Sequence, residues 1–265
     1  MGKWSRNLYE KTDYPDTYTP DDCFLAAIHR NKNLNKYTLH ESVACASQVT
    51  LQFSSVILFY SGYIYLKQGW ISSFNLLKLD LILALMAYLI AGTSSSLFGD
   101  FRHLIIFVTF GYGLTPVLFK LTDTISTDTI HTMSWIMLFL HLLLHNYSVK
   151  AYDTKPMSLN ASLFSAVCLA SRLDSSWDAF VLLSVAVVLF VLFPMARVRL
   201  DQALGLAFVA ESVVVGVCFS ISCGFGLGVA CAMVFVNIIA PMLFVKWQSY
   251  KETIHGPWDE AVPLM

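Results

Sequence analysis

The sequence predicts an all-α fold: a polytopic transmembrane helical bundle of about eight spans, with a short cytosolic N-terminal arm containing an interfacial helix. Three observations predict it. Eight apolar segments can be drawn, at roughly 47–66, 76–97, 103–119, 130–147, 157–173, 177–196, 203–222 and 225–245. Hydrophobic residues make up 56% of the chain and charged residues 13%, against about 25% charged in ordinary soluble domains. With the N-terminus in the cytosol, 13 of the 17 Lys and Arg fall on the cytosolic side, and Lys67, Lys78, Lys120 and Arg172 on the far side. Such a bias is the positive-inside signature. It supports span number and orientation together, because one missed helix would mix the two groups. The runs are continuous and longer than the ~10-residue alternating strands of a membrane barrel, and a helix satisfies its own backbone in lipid.

Three regions follow: a cytosolic arm with an amphipathic helix (1–46), an eight-span membrane domain (47–245) and a cytosolic tail (246–265). In the arm, residues 1–19 are polar and proline-punctuated, which suits an extended segment. Thr19, Pro20, Asp21 and Asp22 form a helix start, with an N-cap, Pro in the first turn and acids after it. The helix that follows puts Phe24, Leu25 and Ile28 on one side, with Arg30, Lys32 and Lys36 nearby. It suits either the cytosolic leaflet or a soluble partner. The first 20 residues lack the apolar core of a cleavable signal, so targeting is expected from a span. The loops are too short for a folded domain, and the last two spans form a tight hairpin around Cys223 and Gly224. Gly216, Gly224, Gly226 and Gly228 allow close helix contact there.

Six cysteines, two in the arm and four in spans, do not make a lumenal disulfide framework. A net charge of −1 leaves no nucleic-acid footprint. His141 and His145 stand at i and i+4, so they share a helix face as two metal ligands could. No third ligand accompanies them, and no metal or cofactor is expected. Asp80 lies near a membrane edge beside Lys78, where snorkelling accounts for it. Glu211 is deeper, without an obvious partner, and is a candidate for a functional or inter-subunit role. Gly111, Gly113 and Pro116 interrupt span three, giving a kink or a broken helix lining a cavity. Thr127 and Asp128 are the expected caps of span four. Asn146 and Asn160 match the glycosylation acceptor pattern but fall at the cytosolic edge, where neither would be modified.

Several stretches together resemble one family. They are Leu8–Glu10 with Pro15, Asp16 and Tyr18; Phe24–Leu25; Phe110–Leu118 running into Leu121 and Ser126–Ile130; Ser158–Asn160; Ala166–Leu173; and Lys251 and Glu252 with Ile254–Ala261. In that order they resemble the C subunit (PIG-C) family of the phosphatidylinositol N-acetylglucosaminyltransferase complex. The loop near 92–103 departs from the pattern and looks shortened. The resemblance implies a multi-pass endoplasmic-reticulum membrane subunit acting in the first step of GPI-anchor synthesis. There, N-acetylglucosamine passes from UDP-GlcNAc to phosphatidylinositol on the cytosolic face. It also implies that sugar transfer belongs to PIG-A and that this chain is an accessory component beside PIG-H, PIG-P, PIG-Q and PIG-Y.

The residues agree with a chain that is not itself catalytic, since no α/β nucleotide-binding domain fits here. The leading expectation is a scaffold that helps present phosphatidylinositol. Arg102, Lys150, Lys155, Arg197 and Arg199 are the lipid-binding candidates as cytosolic-loop cations. Ile254, His255, Gly256, Pro257 and Trp258, with Glu211, are the partner-interface candidates. Trp258 is a large apolar group on a polar tail and suits a membrane anchor or a protein-binding hot spot. The alternative from another class is a small membrane transporter or lipid scramblase, drawn from Glu211 and the interrupted third span, though no inverted repeat accompanies them. An autonomous enzyme built on His141 and His145 would lack ligands.

Overall fold

The computed structural model describes residues 18, 28–31, 34–91, 97–121, 125–147, 156–199 and 203–255. Among these, the helices are α1 (Leu39–Lys67), α2 (Ser73–Ala91), α3 (Leu97–Leu121), α4 (Thr127–Leu144) and α5 (Pro156–Ala170). They continue with α6 (Ser176–Arg199), α7 (Ala203–Ile221) and α8 (Cys223–Tyr250). Two short strands, β1 (His29–Arg30) and β2 (Ile254–His255), flank them. Each apolar segment drawn from the sequence coincides with one helix, in order. Four of them, α1, α2, α6 and α8, are long and apolar enough to cross a membrane. The apolar parts of α3, α5 and α7 are shorter.

The helix ends follow local chemistry. The cap of α4 is Ser126, not Thr127 or Asp128: it is extended, and its hydroxyl accepts from the Thr129 N–H at 3.4 Å. Asp128 then lies in the first turn, where the helix dipole favours an acid. Ser175 caps α6 by accepting from the Trp177 N–H at 3.1 Å. Ser222 alone links α7 to α8 and caps the latter through the Phe225 N–H at 3.1 Å. The turn is thus one residue earlier than expected. Of the four hairpin glycines, Gly226 is the one that close contact requires. A Cβ there would stand 2.6 Å from the Phe219 ring, whereas at Gly216, Gly224 and Gly228 it would meet nothing within 4 Å.

Three internal prolines are met in two ways. Proline removes a helix N–H and its ring crowds the carbonyl four residues back. In α6 and α8 the backbone widens into a π turn just before it: Val188–Leu192 precedes Pro194, and Phe235–Ile239 precedes Pro241. In α3 the helix continues through Pro116, and the Thr115 hydroxyl donates to the Gly111 carbonyl at 2.6 Å. The broken third span is therefore not observed, because one lost bond leaves the neighbouring turns intact.

The chain divides into two compact units, His40–Pro241 and a second made of Met1–Leu39 with Met242–Met265. In the first, one apolar cluster joins α1, α4, α5 and α6 through Phe59, Leu138, Leu169, Leu182 and Phe190. Another joins α1 to the α7–α8 hairpin through Ile57, Val214, Cys218, Val229 and Met233. In the second unit, β1 pairs antiparallel with β2 in the register His29↔His255 and Arg30↔Ile254. Arm and tail, separate regions in the sequence reading, belong together there. Asn31, left-handed at φ 57°, follows the strand, a conformation Asn tolerates better than most residues. Among residues 28–31 and 34–38 of the arm none is helical, and the expected helix start at 19–22 lies outside the described residues.

Candidate functional site

Polar side chains inside the first unit converge on α1. Gln48 and Gln52 are one turn apart and share a face, while Thr50, two residues from each, points about 200° away. One helix therefore serves two polar clusters on opposite sides.

The first cluster joins α1, α4, α5 and α6. The Gln52 amide nitrogen lies 2.7 Å from His141 Nε2. His141 Nδ1 lies 2.8 Å from the Ser158 carbonyl and 2.9 Å from the Ser158 hydroxyl, which is itself 3.0 Å from the His141 carbonyl. An amide N–H can only donate, so Nε2 accepts and Nδ1 carries the proton. The ring is thereby held neutral in one tautomer. His141 is 1% exposed and Gln52 0%. One turn on, the His145 ring lies 5.5 Å from that of His141. Arg197 donates from one guanidinium nitrogen to His145 Nε2 at 3.4 Å and from the other to the Gln48 carbonyl at 3.3 Å.

The second cluster joins α1 to the hairpin. The Thr50 hydroxyl donates to Asn237 Oδ1 at 3.1 Å, and Asn237 Nδ2 donates to Glu211 Oε1 at 2.7 Å. Asn237 sits within the π turn that precedes Pro241. At the other end of the bundle, Lys67 donates to the Arg172 carbonyl at 2.6 Å and pairs with Asp174 at 3.3 Å. Ser73 bonds to Asp178 there, and Tyr65 to Ser220.

The expected site residues separate on this frame. Arg102 and Arg199 are exposed, as a lipid contact requires. Arg197 is 5% exposed and tied to α1 and α4, so its charge is turned inward. Glu211 is half-buried, with its partner inside the chain. Ile254 is exposed in β2, opposite Arg30. Lys150, Lys155, Gly256, Pro257 and Trp258 lie outside the described residues, and of His255 the backbone pairing is described. Snorkelling of Asp80 is overturned. Asp80 is 5% exposed against Ser184 of α6, and Lys78 instead lies over the Phe74 ring at 4.4 Å. Chain position sets a residue's distance from the helix end but not the face on which it lies. Among the described residues, no group of three His, Cys, Asp or Glu is placed to hold a metal. His141 and His145 do share a face, and the groups they meet are an amide, a serine and a guanidinium. Gln48, Thr50, Gln52 and Asn237 are absent from the sequence reading, although polar residues at i and i+4 within an apolar run are a readable signal of an inward face.

Comparison with known proteins places the chain. A family model described as phosphatidylinositol N-acetylglucosaminyltransferase matches residues 4–259. The C subunit of the phosphatidylinositol N-acetylglucosaminyltransferase of Homo sapiens is 34% identical over 275 residues, covering 98% of this chain and 92% of that protein. A putative C subunit of the same-named transferase from Dictyostelium discoideum is 36% identical, covering 98% and 79%. The GPI2 subunit of that transferase in Schizosaccharomyces pombe is 28% identical, covering 99% and 87%. No solved structure matches the chain.

Proposed function

The chain belongs to the PIG-C/GPI2 family of phosphatidylinositol N-acetylglucosaminyltransferase subunits, and on that premise we propose that it is a non-catalytic membrane subunit of such a transferase. In this reading it spans the endoplasmic-reticulum membrane eight times with both termini cytosolic. It scaffolds a complex that moves N-acetylglucosamine from UDP-GlcNAc to phosphatidylinositol in GPI-anchor synthesis. Sugar transfer falls to PIG-A, with PIG-H, PIG-P, PIG-Q and PIG-Y as further partners.

The observation that carries a scaffolding role is the direction of the polar side chains. Groups that an enzyme would turn toward a substrate are turned toward each other, in Gln52–His141–Ser158 and in Thr50–Asn237–Glu211. Such contacts fix helix positions. Phosphatidylinositol, an anionic lipid, is then drawn to the exposed cations Arg102 and Arg199 and to Lys150 and Lys155 of the loop proposed to be cytosolic. Each contributes about 1 kcal/mol near the surface. Arg197, turned inward, takes no part in that attraction. Residues 254–258 are the proposed partner contact, with Trp258 as anchor.

Purification from mild detergent tests the assignment: the tagged chain should bring the catalytic subunit with it, and elution alone would point to a transporter or scramblase. Trp258→Ala should weaken that recovery and lower sugar transfer while insertion stays normal. For topology, cysteine labelling should find positions near Asn75 and Asp123 lumenal and positions near Lys150 and Arg199 cytosolic.

A further inference from the structure

The second unit contains a groove that the family reading does not use. It has a volume of about 220 Å³ and is lined by Leu34, Asn35, Tyr37, Phe244, Trp247, Gln248 and Lys251. Its walls come from sequence positions more than 200 residues apart, and polar groups hold them. Gln248 bonds reciprocally with the Tyr37 backbone: its Oε1 accepts from the Tyr37 N–H and its Nε2 donates to the Tyr37 carbonyl, both at 2.9 Å. Below this clamp, the Asn31 N–H donates to the Thr253 carbonyl at 2.8 Å, and the Thr253 N–H to Asn31 Oδ1 at 2.9 Å. The Tyr37 and Phe244 rings pack at 5.9 Å. With the Gln248 amide engaged in holding the walls, the lining is left to Leu34, Asn35, three rings and the Lys251 ammonium group.

We propose that this groove is a binding site for an anionic phospholipid of the bilayer, with the lipid phosphate on Lys251 and the start of an acyl chain against Phe244 and Trp247. Three observations select a lipid over other occupants. The groove is built on the last turns of α8, a helix long enough to cross a membrane, so it lies at interface depth. Trp247 is 60% exposed, Tyr250 80% and Tyr37 45%, and such amphipathic rings are enriched at the headgroup level. Lys36, Lys246 and Lys251 are exposed cations on the two segments that form the groove, beside one exposed acid, Glu252, and such cations attract an anionic lipid. The size is also informative. Sites that enclose a whole ligand run to about 300–1,000 Å³, so this groove grips one edge of a lipid whose remainder stays in the leaflet.

Photo-crosslinking tests the site on the intact complex in vesicles doped with a photoreactive phospholipid. The probe carries its reactive group on the proximal acyl chain, with either a phosphatidylserine or a phosphatidylcholine head. Adducts should map to 34–37 and 244–251, and the anionic probe should be preferred. Lys251→Glu should lower that preference at least about fivefold without loss of insertion. Phe244→Ala with Trp247→Ala should reduce adducts for both probes. Neutralising Arg102 and Arg199 should leave these adducts unchanged, so failure here and failure of the loop-cation reading are distinguishable. Absence of adducts in these stretches, equal labelling by both heads, or crosslinks from the groove to a polypeptide would each overturn the proposal.

Discussion

On one side of α1 lie α4, α5 and α6; on the other lies the α7–α8 hairpin. Toward the first group α1 offers Gln48 and Gln52 beside a continuous apolar cluster containing Phe59 and Tyr63. Rings meet across that boundary, with Phe59 5.3 Å from Phe190 and Tyr60 4.4 Å from Trp135. Toward the hairpin it offers Thr50, Ile57 and a smaller cluster. Burial follows the same division: 56% of the apolar window of α1 and 61% of that of α6 are buried within the chain, against 17% for α8. In a bilayer, apolar surface against lipid carries little penalty, so helix association depends on close packing and hydrogen bonds. The first side has both in quantity. The hairpin meets α1 through the smaller apolar cluster, the Thr50–Asn237–Glu211 chain and the Tyr65–Ser220 bond, and α8, like α2 with 11% of its window buried, leaves most of its surface open to lipid or to other subunits.

Substitutions should separate the two sides, beginning with the interior. His141→Ala removes a buried ring and leaves the Gln52 amide and the Ser158 carbonyl without their partner. A loss of about 3 kcal/mol in detergent unfolding is expected; a loss below about 1 kcal/mol would show that the first cluster is not what holds α4 and α5 to α1. Arg197→Gln should cost about 2 kcal/mol by the same measurement, since a buried donor to the Gln48 carbonyl is lost. Arg199→Gln, at an exposed position, should leave stability unchanged.

On the hairpin side, Gly226→Ala forces a methyl group against the Phe219 ring and should cost about 1–2 kcal/mol. Gly224→Ala and Gly228→Ala, with open space around them, should be neutral or slightly stabilising through helix propensity. Equal effects at all three positions would remove the close-packing argument. A small change is also expected for Glu211→Gln. An amide oxygen can still accept from Asn237, so stability should move by less than about 1 kcal/mol. A larger loss would mean that the carboxylate is ionised and meets a cation from another subunit.

Much of this is legible without coordinates. The helices and their order follow from apolar runs, and the all-α class from the requirement that backbone groups in lipid bond within their own segment. Family membership is readable in the stretches Phe110–Leu118, Ala166–Leu173 and Ile254–Ala261. What the tertiary structure decided is which way the polar residues point. Periodicity gives a residue its angle about its own helix, but only packing says which neighbour occupies that angle. Asp80 reads as a membrane-edge residue and is buried against α6. Arg197 reads as a lipid-surface cation and lies against α1 and α4, and Glu211 meets Asn237 across a one-residue turn. The pairing of His29–Arg30 with Ile254–His255 is likewise invisible in the sequence, because strands two residues long carry no periodicity and their partner lies more than 200 positions away.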